Sequence, residues 1–166
     1  MKTAKRPSPT AMKSSTRPED VRAFEERAIH RLRAEGFRIT MPRVQVIRTL
    51  AQSNEALSAY GIHERILANG GRIDVVSVYR ILATLNEVGL IHHIGVVDGY
   101  LACRLGGEHV HQTEHLVCSD CGNVQEVEVP AAALSAAEAQ ISQMGFDPSV
   151  IKIEVVGRCN QCSKSG

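Results

Sequence analysis

Apolar residues in the first half of the chain recur at the spacing of amphipathic helices. A period of three to four residues holds over 19–35, 44–51, 62–66 and 78–85, so each segment offers one apolar face. Capping and stop signals separate these segments, which predicts four short helices. The signals are Thr40, Pro42, Ser58 and Asp74 at the starts, and Gly36, Asn69, Gly70 and Gly89 at the ends.

A hairpin pattern follows the fourth helix. Two predicted strands, 90–94 and 100–103, flank Asp98-Gly99, a pair that tolerates positive φ in a turn. Several short helices followed by a hairpin predict a winged helix, in which one helix enters the major groove and the hairpin touches the DNA backbone. The helix opened by Asp74 is the predicted reading helix; the alternative is an ordinary solvated face. Its candidate DNA contacts are Ser77, Tyr79, Arg80 and Thr84.

The second half predicts a smaller unit of strands and one helix. Segments 114–117, 124–129 and 150–156 have strand character, and 130–144 is an Ala-rich amphipathic helix. Strand edges need a cover, and pairing with a second copy is one way to supply it. The predicted fold class is therefore α+β: an N-terminal winged-helix DNA-binding domain and a C-terminal α/β dimerisation domain.

Composition and charge support two unlike parts. Apolar residues make up 43% of the 166 residues, but aromatic residues only 4%, which favours two small aliphatic cores. Residues 1–97 carry 15 Lys and Arg against 9 Asp and Glu, whereas 98–166 carry 4 against 9. The balances of +6 and −5 indicate that the first part meets a polyanion. The alternative is that surface charge merely scatters this way.

The ends and the hydropathy of the chain predict its location. Residues 1–18 are rich in Lys, Ser, Thr and Pro, which predicts a disordered basic tail. No apolar run approaches the roughly 20 residues that span a bilayer, and no secretory h-region follows the first basic residues. We therefore expect a cytoplasmic protein without a membrane partner.

Two Cys-x-x-Cys pairs predict a structural zinc site. Cys118 and Cys121 form one pair, Cys159 and Cys162 the other, and 37 residues lie between them. Four thiolates in a tetrahedron are typical of structural zinc. The alternative is a redox dithiol, which needs a Cys-x-x-Cys at the start of a helix after a strand, and we expect no helix after either pair.

A second metal site is predicted between the two parts. Cys103 ends the hairpin, His92 lies on its other strand, His111 follows in the Gly-rich connection, and Glu126 lies in the second part. One thiolate, two imidazoles and one carboxylate can complete a tetrahedral zinc site whose occupancy fixes the angle between the parts. The alternative is a buried Cys, surface His residues and a solvated Glu.

The chain resembles the ferric uptake regulator (Fur) family over nearly all of residues 19–163. The matching stretches are LRAEGFRITMPRVQVIRTL (32–50), VVSVYRILATLNEVGLI (75–91), HLVCSDCGNVQEVEVP (115–130) and the terminal CNQC. The order His92, Cys103, His111, Glu126 is similar to the sensory site of the zinc uptake regulator (Zur) branch. Neighbouring His93 and His109 stay open as substitutes for His92 and His111.

The resemblance implies a homodimer with two zinc ions per subunit, the Cys₄ site being structural and the hinge site regulatory. It implies operator DNA with an AT-rich inverted repeat, contacted by Tyr79 and Arg80 and by Tyr60. The domains are expected at 1–18 (basic tail), 19–103 (winged helix), 104–112 (hinge) and 113–166 (dimerisation and zinc). One departure concerns the segment before Cys118, where only His115 and Glu114 could serve a third metal site.

The main hypothesis is a zinc-responsive dimeric repressor that binds the operators of zinc-uptake genes when zinc fills the hinge. An iron- or manganese-responsive regulator of the same fold is the alternative, although a thiolate favours zinc. A zinc-dependent hydrolase or a redox enzyme needs an open coordination position or an activated nucleophile. Four protein ligands can fill the predicted site, so we expect a protein that is not an enzyme.

Overall fold

The N-terminal part is a bundle of four helices followed by a hairpin. The computed structural model describes residues 17–104, 114–127 and 129–164. The helices are α1 (Pro18–Ala34), α2 (Met41–Ala51), α3 (Ala59–Ala68) and α4 (Val75–Glu87). Strands β1 (Ile91–Ile94) and β2 (Gly99–Ala102) pair antiparallel, with a single 3-10 turn, Gly95–Val97, between them. Asp98 takes a left-handed conformation at φ 45°, so the predicted turn pair lies at the end of a longer connection.

The apolar faces of the four helices meet in one core. Helix α2 packs against α1, α3 and α4, so its buried surface is wider than one apolar stripe along the helix. Val46 and Thr49 are therefore buried, whereas Val44, which the periodicity placed in the core, is only half-buried. The largest fully buried side chains of this core are Leu32, Val46, Ile47, Leu50, Ile62, Val78, Leu82, Leu85 and Ile91.

Side chains cap the starts of two helices where the sequence predicted them. The Ser58 hydroxyl accepts a hydrogen bond from the Gly61 N–H at 3.0 Å. The Asp74 carboxylate accepts from the Ser77 N–H at 2.9 Å. Thr40 occupies the N-cap position of α2, but its side chain makes no capping hydrogen bond.

The C-terminal part has a three-stranded sheet in the order β4-β3-β5. Strands β3 (Glu114–Cys118) and β4 (Val124–Val127) are antiparallel, and β5 (Glu154–Gly157) runs parallel to β3 after the crossover helix α5 (Ala131–Gln143). Strand β5 begins four residues later than the sequence predicted, because the pairing starts only where Glu154 lies opposite His115. A short helix, α6 (Asn160–Ser163), follows, so the prediction of no helix at the second Cys pair was wrong.

One face of the sheet packs against the hairpin. Ile94 and Leu101 of the hairpin bury themselves against Val117 of β3 and Val124 of β4, and Ala56 packs beside them. Side chains alternate along a strand and cross-strand partners share a face, so His115, Glu126 and Glu154 point toward the hairpin together with Val117 and Val124. This small apolar contact holds the hairpin at a distance from the sheet that lets polar side chains of both parts meet.

None of the helices in the described ranges is long and apolar enough to cross a membrane.

Candidate metal centres and nucleic-acid interface

Parallel pairing of β3 and β5 brings the two Cys-x-x-Cys pairs together. Cys118 ends β3 beside Gly157, the last residue of β5, so Cys159 emerges next to the first pair. The thiols of Cys118, Cys121, Cys159 and Cys162 all lie within 4.8 Å of one another. The Cys121 and Cys159 sulfurs are 3.9 Å apart. A tetrahedral ion with Zn–S bonds of ~2.3 Å requires about 3.8 Å between sulfurs, so the set fits zinc.

The surroundings of these thiols favour a thiolate at Cys118. Backbone N–H donors, first that of Cys159 and then that of Cys121, lower the pKa of Cys118 to about 6. The neighbouring Cys159 and Cys121 side chains raise the pKa of Cys162 to about 12. Four sulfurs packed this closely cannot all ionise without a cation among them, and metal binding would release their protons.

Convergence of all four thiols argues against the redox alternative. Cys159 is the N-cap residue of α6 and follows β5, so the second pair has the strand-to-helix context that a redox dithiol needs. A redox pair needs only its own two sulfurs, whereas here a second pair completes a tetrahedral set. The arrangement as a whole is that of a closed metal knuckle.

A second cluster joins the hairpin to the sheet. His92 lies on β1, Cys103 directly follows β2, and Glu126 lies on β4. One ligand atom from each residue lies within 4.8 Å of the others. His92 Nε2 is 3.6 Å from Glu126 Oε1, near the roughly 3.4 Å that two ligands of one tetrahedral zinc ion require. Cys103 is buried, and the other two side chains are half-buried.

The register decides between the two adjacent histidines. Successive side chains of a strand point to opposite faces, so His92 and His93 cannot both face Cys103. His92 faces the sheet, whereas His93 Nε2 lies 3.0 Å from Asp98 Oδ1 and its ring lies against Tyr100. His109 and the predicted fourth ligand, His111, lie outside the described residues.

His115 borders the cluster of His92, Cys103 and Glu126, a position that spacing alone did not reveal. Its ring centroid lies 5.2 Å from that of His92, and it stands opposite Glu126 in the β3–β4 register. The side chain is buried, its Nε2 has no hydrogen-bond partner among the described residues, and burial lowers its pKa. A third site built from His115 and Glu114 is not brought together, because Glu114 accepts from the Val129 N–H at 3.1 Å on the other face.

Two arginines, which the sequence analysis did not single out, hold the segment at Cys103. Arg27 of α1 donates to the Cys103 carbonyl. Arg104 donates to the Ser53 carbonyl at 2.9 Å, and burial lowers its pKa. These bonds fix the backbone around the thiol, yet they link residues too far apart in sequence for any local pattern to indicate them.

The exposed face of α4 offers an interface to nucleic acid. Tyr79 and Arg80 are exposed there, and Tyr60 of α3 meets the Tyr79 ring edge-on at 6.4 Å. Val76, which the sequence did not single out, is 54% exposed one turn before Arg80, so it presents an apolar side chain of the kind that contacts thymine methyl groups.

The hydroxyl groups of two predicted contact residues form hydrogen bonds within α4 and its N-cap. Ser77 Oγ donates to Asp74 Oδ2 at 2.6 Å, and Thr84 Oγ1 donates to the Arg80 carbonyl at 3.1 Å. Both side chains are half-buried, so Tyr60, Tyr79 and Arg80 form the more accessible part of the predicted set.

Known proteins match both the sequence and the fold. The Ferric uptake regulation protein of Legionella pneumophila is 32% identical over 133 residues, which span 79% of this chain and 95% of that protein. The Ferric uptake regulation protein of Shigella flexneri is 31% identical over 96 residues, but the match spans only 64% of its length.

Among solved structures, a zinc uptake regulator complexed with zinc and DNA superposes with a TM-score of 0.78 at 25% identity, over 87% of this chain and 96% of that chain. The crystal structure of holo XcZur gives a TM-score of 0.73 at 26% identity, over 86% and 98%. The sequence model of the Ferric uptake regulator family matches residues 34–156. The chain therefore belongs to the Ferric uptake regulator family, whose members are transcription regulators and not enzymes.

Proposed function

We propose that this protein is a zinc-responsive dimeric repressor that binds the operators of zinc-uptake genes when zinc fills the hinge site. The observation that carries the proposal is the convergence of His92 and Cys103 with Glu126 across the two parts of the chain. A cysteine among the ligands favours zinc over harder cations. The likeness to a zinc uptake regulator in complex with zinc and DNA supports the same choice.

Two zinc ions per subunit would have different roles. Cys118, Cys121, Cys159 and Cys162 would hold a structural ion, since all four ligands come from one small sheet and its ends. His92, Cys103 and Glu126, with His111 as the fourth ligand, would hold the regulatory ion. A bound zinc supplies the positive charge that keeps a thiolate, imidazoles and a carboxylate together. Residues 104–112 are the proposed hinge between a winged helix at 19–103 and a dimerisation domain at 113–166.

The bound ion would select one angle between the parts. Hairpin and sheet would otherwise vary in angle, and only one angle presents both reading helices of a dimer to successive major grooves. Tyr60, Tyr79 and Arg80 would then meet an AT-rich inverted repeat, whose two-fold symmetry matches a homodimer. A repressor that binds operator DNA would act in the cytoplasm, and the tail at 1–18 would make weak contacts to phosphate.

Cys103→Ser tests the regulatory site. The variant should hold one zinc per subunit where the wild type holds two, because the Cys₄ site is unchanged. Its affinity for DNA should lose the zinc response, which we expect to be about tenfold or more in the wild type. Elemental analysis measures the zinc content. DNA binding is measured on a duplex that the zinc-loaded wild type has selected from random sequence.

Adjacent histidines supply the matched control. His92→Gln should behave as Cys103→Ser, whereas His93→Gln should keep both zinc ions, because His93 contacts Asp98 instead. Retention of full zinc-dependent DNA binding by Cys103→Ser and by His92→Gln would contradict the site assignment.

An iron- or manganese-responsive regulator is the second candidate, and His115 is the observation that favours it. Its buried Nε2 lies beside His92 and Glu126 and could supply a nitrogen ligand at the same place. A site of nitrogen and oxygen ligands suits iron or manganese better than a thiolate site does. Protein that holds only its structural zinc should gain DNA affinity with zinc; a gain with iron or manganese and none with zinc would reverse the choice.

A further inference from the structure

Besides the apolar contact of Ile94 with Val117 and Val124, strand β1 meets the sheet at two polar points, and only the first belongs to the predicted metal site. The first point is His92 against Glu126 of β4. At the second, the Glu154 carboxylate of β5 accepts hydrogen bonds from two consecutive backbone N–H groups just after β1. Gly95 donates to Oε1 at 2.9 Å and Val96 donates to Oε2 at 2.8 Å.

The two attachment points lie in one row across the sheet. In the register, His115 of β3 is opposite Glu126 on one side and opposite Glu154 on the other. Cross-strand partners share a face, so all three side chains point toward the hairpin. The row therefore places one carboxylate at each end and a buried imidazole in the middle.

The spacing of the row matches the length of β1. The two outer strands of the sheet are two strand spacings apart, about 10 Å. From His92 to Gly95 the hairpin advances three residues, also about 10 Å in a strand. Strand β1 thus spans from one carboxylate to the other, and holding both ends fixes its direction as well as its distance.

Both hydrogen bonds are short and charge-assisted. A hydrogen bond to an ionised carboxylate is about twice as strong as one between neutral groups. Burial alone would raise the pKa of Glu154. The hydrogen bonds from the Gly95 and Val96 N–H groups outweigh this effect, so the pKa lies below its usual value. The carboxylate is therefore ionised at neutral pH and ready to accept both bonds.

We infer that Glu154 is a positioning residue that sets the angle of the wing on the dimerisation domain and so couples the hinge site to DNA binding. This inference rests on the proposed function. A single polar attachment at His92 would let the hairpin pivot on the small apolar contact at Ile94, whereas a second one about 10 Å away removes the pivot. Binding energy gained at the hinge then reaches the reading helix through a hairpin of fixed direction.

The test compares Glu154→Ala, Glu154→Gln and Asp147→Ala in the full chain, each loaded with zinc. Asp147 is an exposed carboxylate of the same domain, so its variant measures the effect of one lost negative charge on DNA affinity. Glu154→Ala should keep two zinc ions per subunit but reduce the ratio of Kd without regulatory zinc to Kd with it by about fivefold or more. The DNA is the duplex selected by the zinc-loaded wild type.

Two further readouts separate positioning from simple stabilisation. The Gly95 and Val96 amide hydrogens should exchange faster in Glu154→Ala, and Glu154→Gln, which keeps an acceptor oxygen, should restore part of the zinc response. A zinc response in Glu154→Ala equal to that of Asp147→Ala would overturn the inference while leaving the proposed function intact. Loss of the regulatory zinc from Glu154→Ala would also overturn it. A wild type without any zinc response would overturn the proposed function and this inference together.

Discussion

Single side chains decide where α4 starts and which of two adjacent histidines faces Cys103 and Glu126. Capping at Ser58 and Asp74 could be predicted from sequence, because a cap needs only residues within three positions. Strand alternation likewise limited the choice between His92 and His93. The place of His115 beside His92 could not be predicted, because it depends on which strands pair and in which register.

Asp74→Ala should lower the thermal stability of the winged helix. The Ser77 side chain and backbone N–H are the main causes that lower the pKa of Asp74, so folding favours its ionised form. That stabilisation is present above the unfolded pKa and is lost as pH falls through the folded one. The Tm difference between wild type and Asp74→Ala should therefore be present at pH 7 and shrink toward pH 3. Circular dichroism across this range measures it.

Asp74→Ser provides the control, because a Ser hydroxyl caps without a charge. Its Tm should stay close to that of the wild type at pH 7. The Tm difference between Asp74→Ser and Asp74→Ala should change little with pH. An Asp74→Ala protein as stable as the wild type at pH 7 would contradict this role of the cap.

Helices were easier to predict than strands at the scale of the element. Each of α1 to α4 carries its own period and its own end signals, whereas the start of β5 depends on where β3 offers partners. The β1–β2 hairpin, which is the wing, makes another contact between residues that are far apart in sequence. Tyr100 of β2 exchanges two backbone hydrogen bonds with Leu57, at 2.8 and 2.9 Å, and no local pattern marks Leu57 as a strand residue.

Gly99→Ala should disturb the wing. An added Cβ would lie 2.9 Å from the Ala56 Cβ and 3.0 Å from its carbonyl carbon, so β2 would have to move away from Leu57. Overpacking of this kind costs about 1–3 kcal/mol. Urea unfolding measures the free energy of the variant. Gly157→Ala on β5 is the matched control, since nothing lies within 4 Å of its added Cβ. Equal stability of the two variants would contradict the close approach at Ala56.

The two parts of the whole molecule differ in how much apolar surface they bury. The helical part has an extended core, but α5 buries no residue, and Leu116 and Val155 are exposed together on the sheet face away from the hairpin. Met144, Phe146 and Val150 add to this exposed apolar surface. Charge and composition predicted two unlike parts, but only the register shows which sheet face lacks a cover within the described chain.

Val155→Asp should weaken the proposed homodimer. A charge placed on this face would have to be buried against the partner copy, which is costly without a pairing group. Light scattering should show a monomer at concentrations where the wild type is a dimer. Val97→Asp, which changes an exposed valine of the wing, should remain dimeric. A dimeric Val155→Asp would place the interface elsewhere.

Under the proposed function, the four-thiol site at the end of β3 would also impose an order on metal binding. The Cys118 N–H is bonded to the Asn123 carbonyl at 2.9 Å, Asn123 bridges to Glu55, and β4 starts at the next residue. Glu126 is thus presented by a strand whose beginning is shaped by the loop that runs from Cys118 through Cys121 to Asn123. Under the proposed function, a newly made chain acquires its sensor only after the four-thiol site has been filled. A cell starved of zinc would then contain two kinds of protein that do not repress. In one kind only the four-thiol site is filled, and in the other both sites are empty, so the second kind cannot yet respond to zinc.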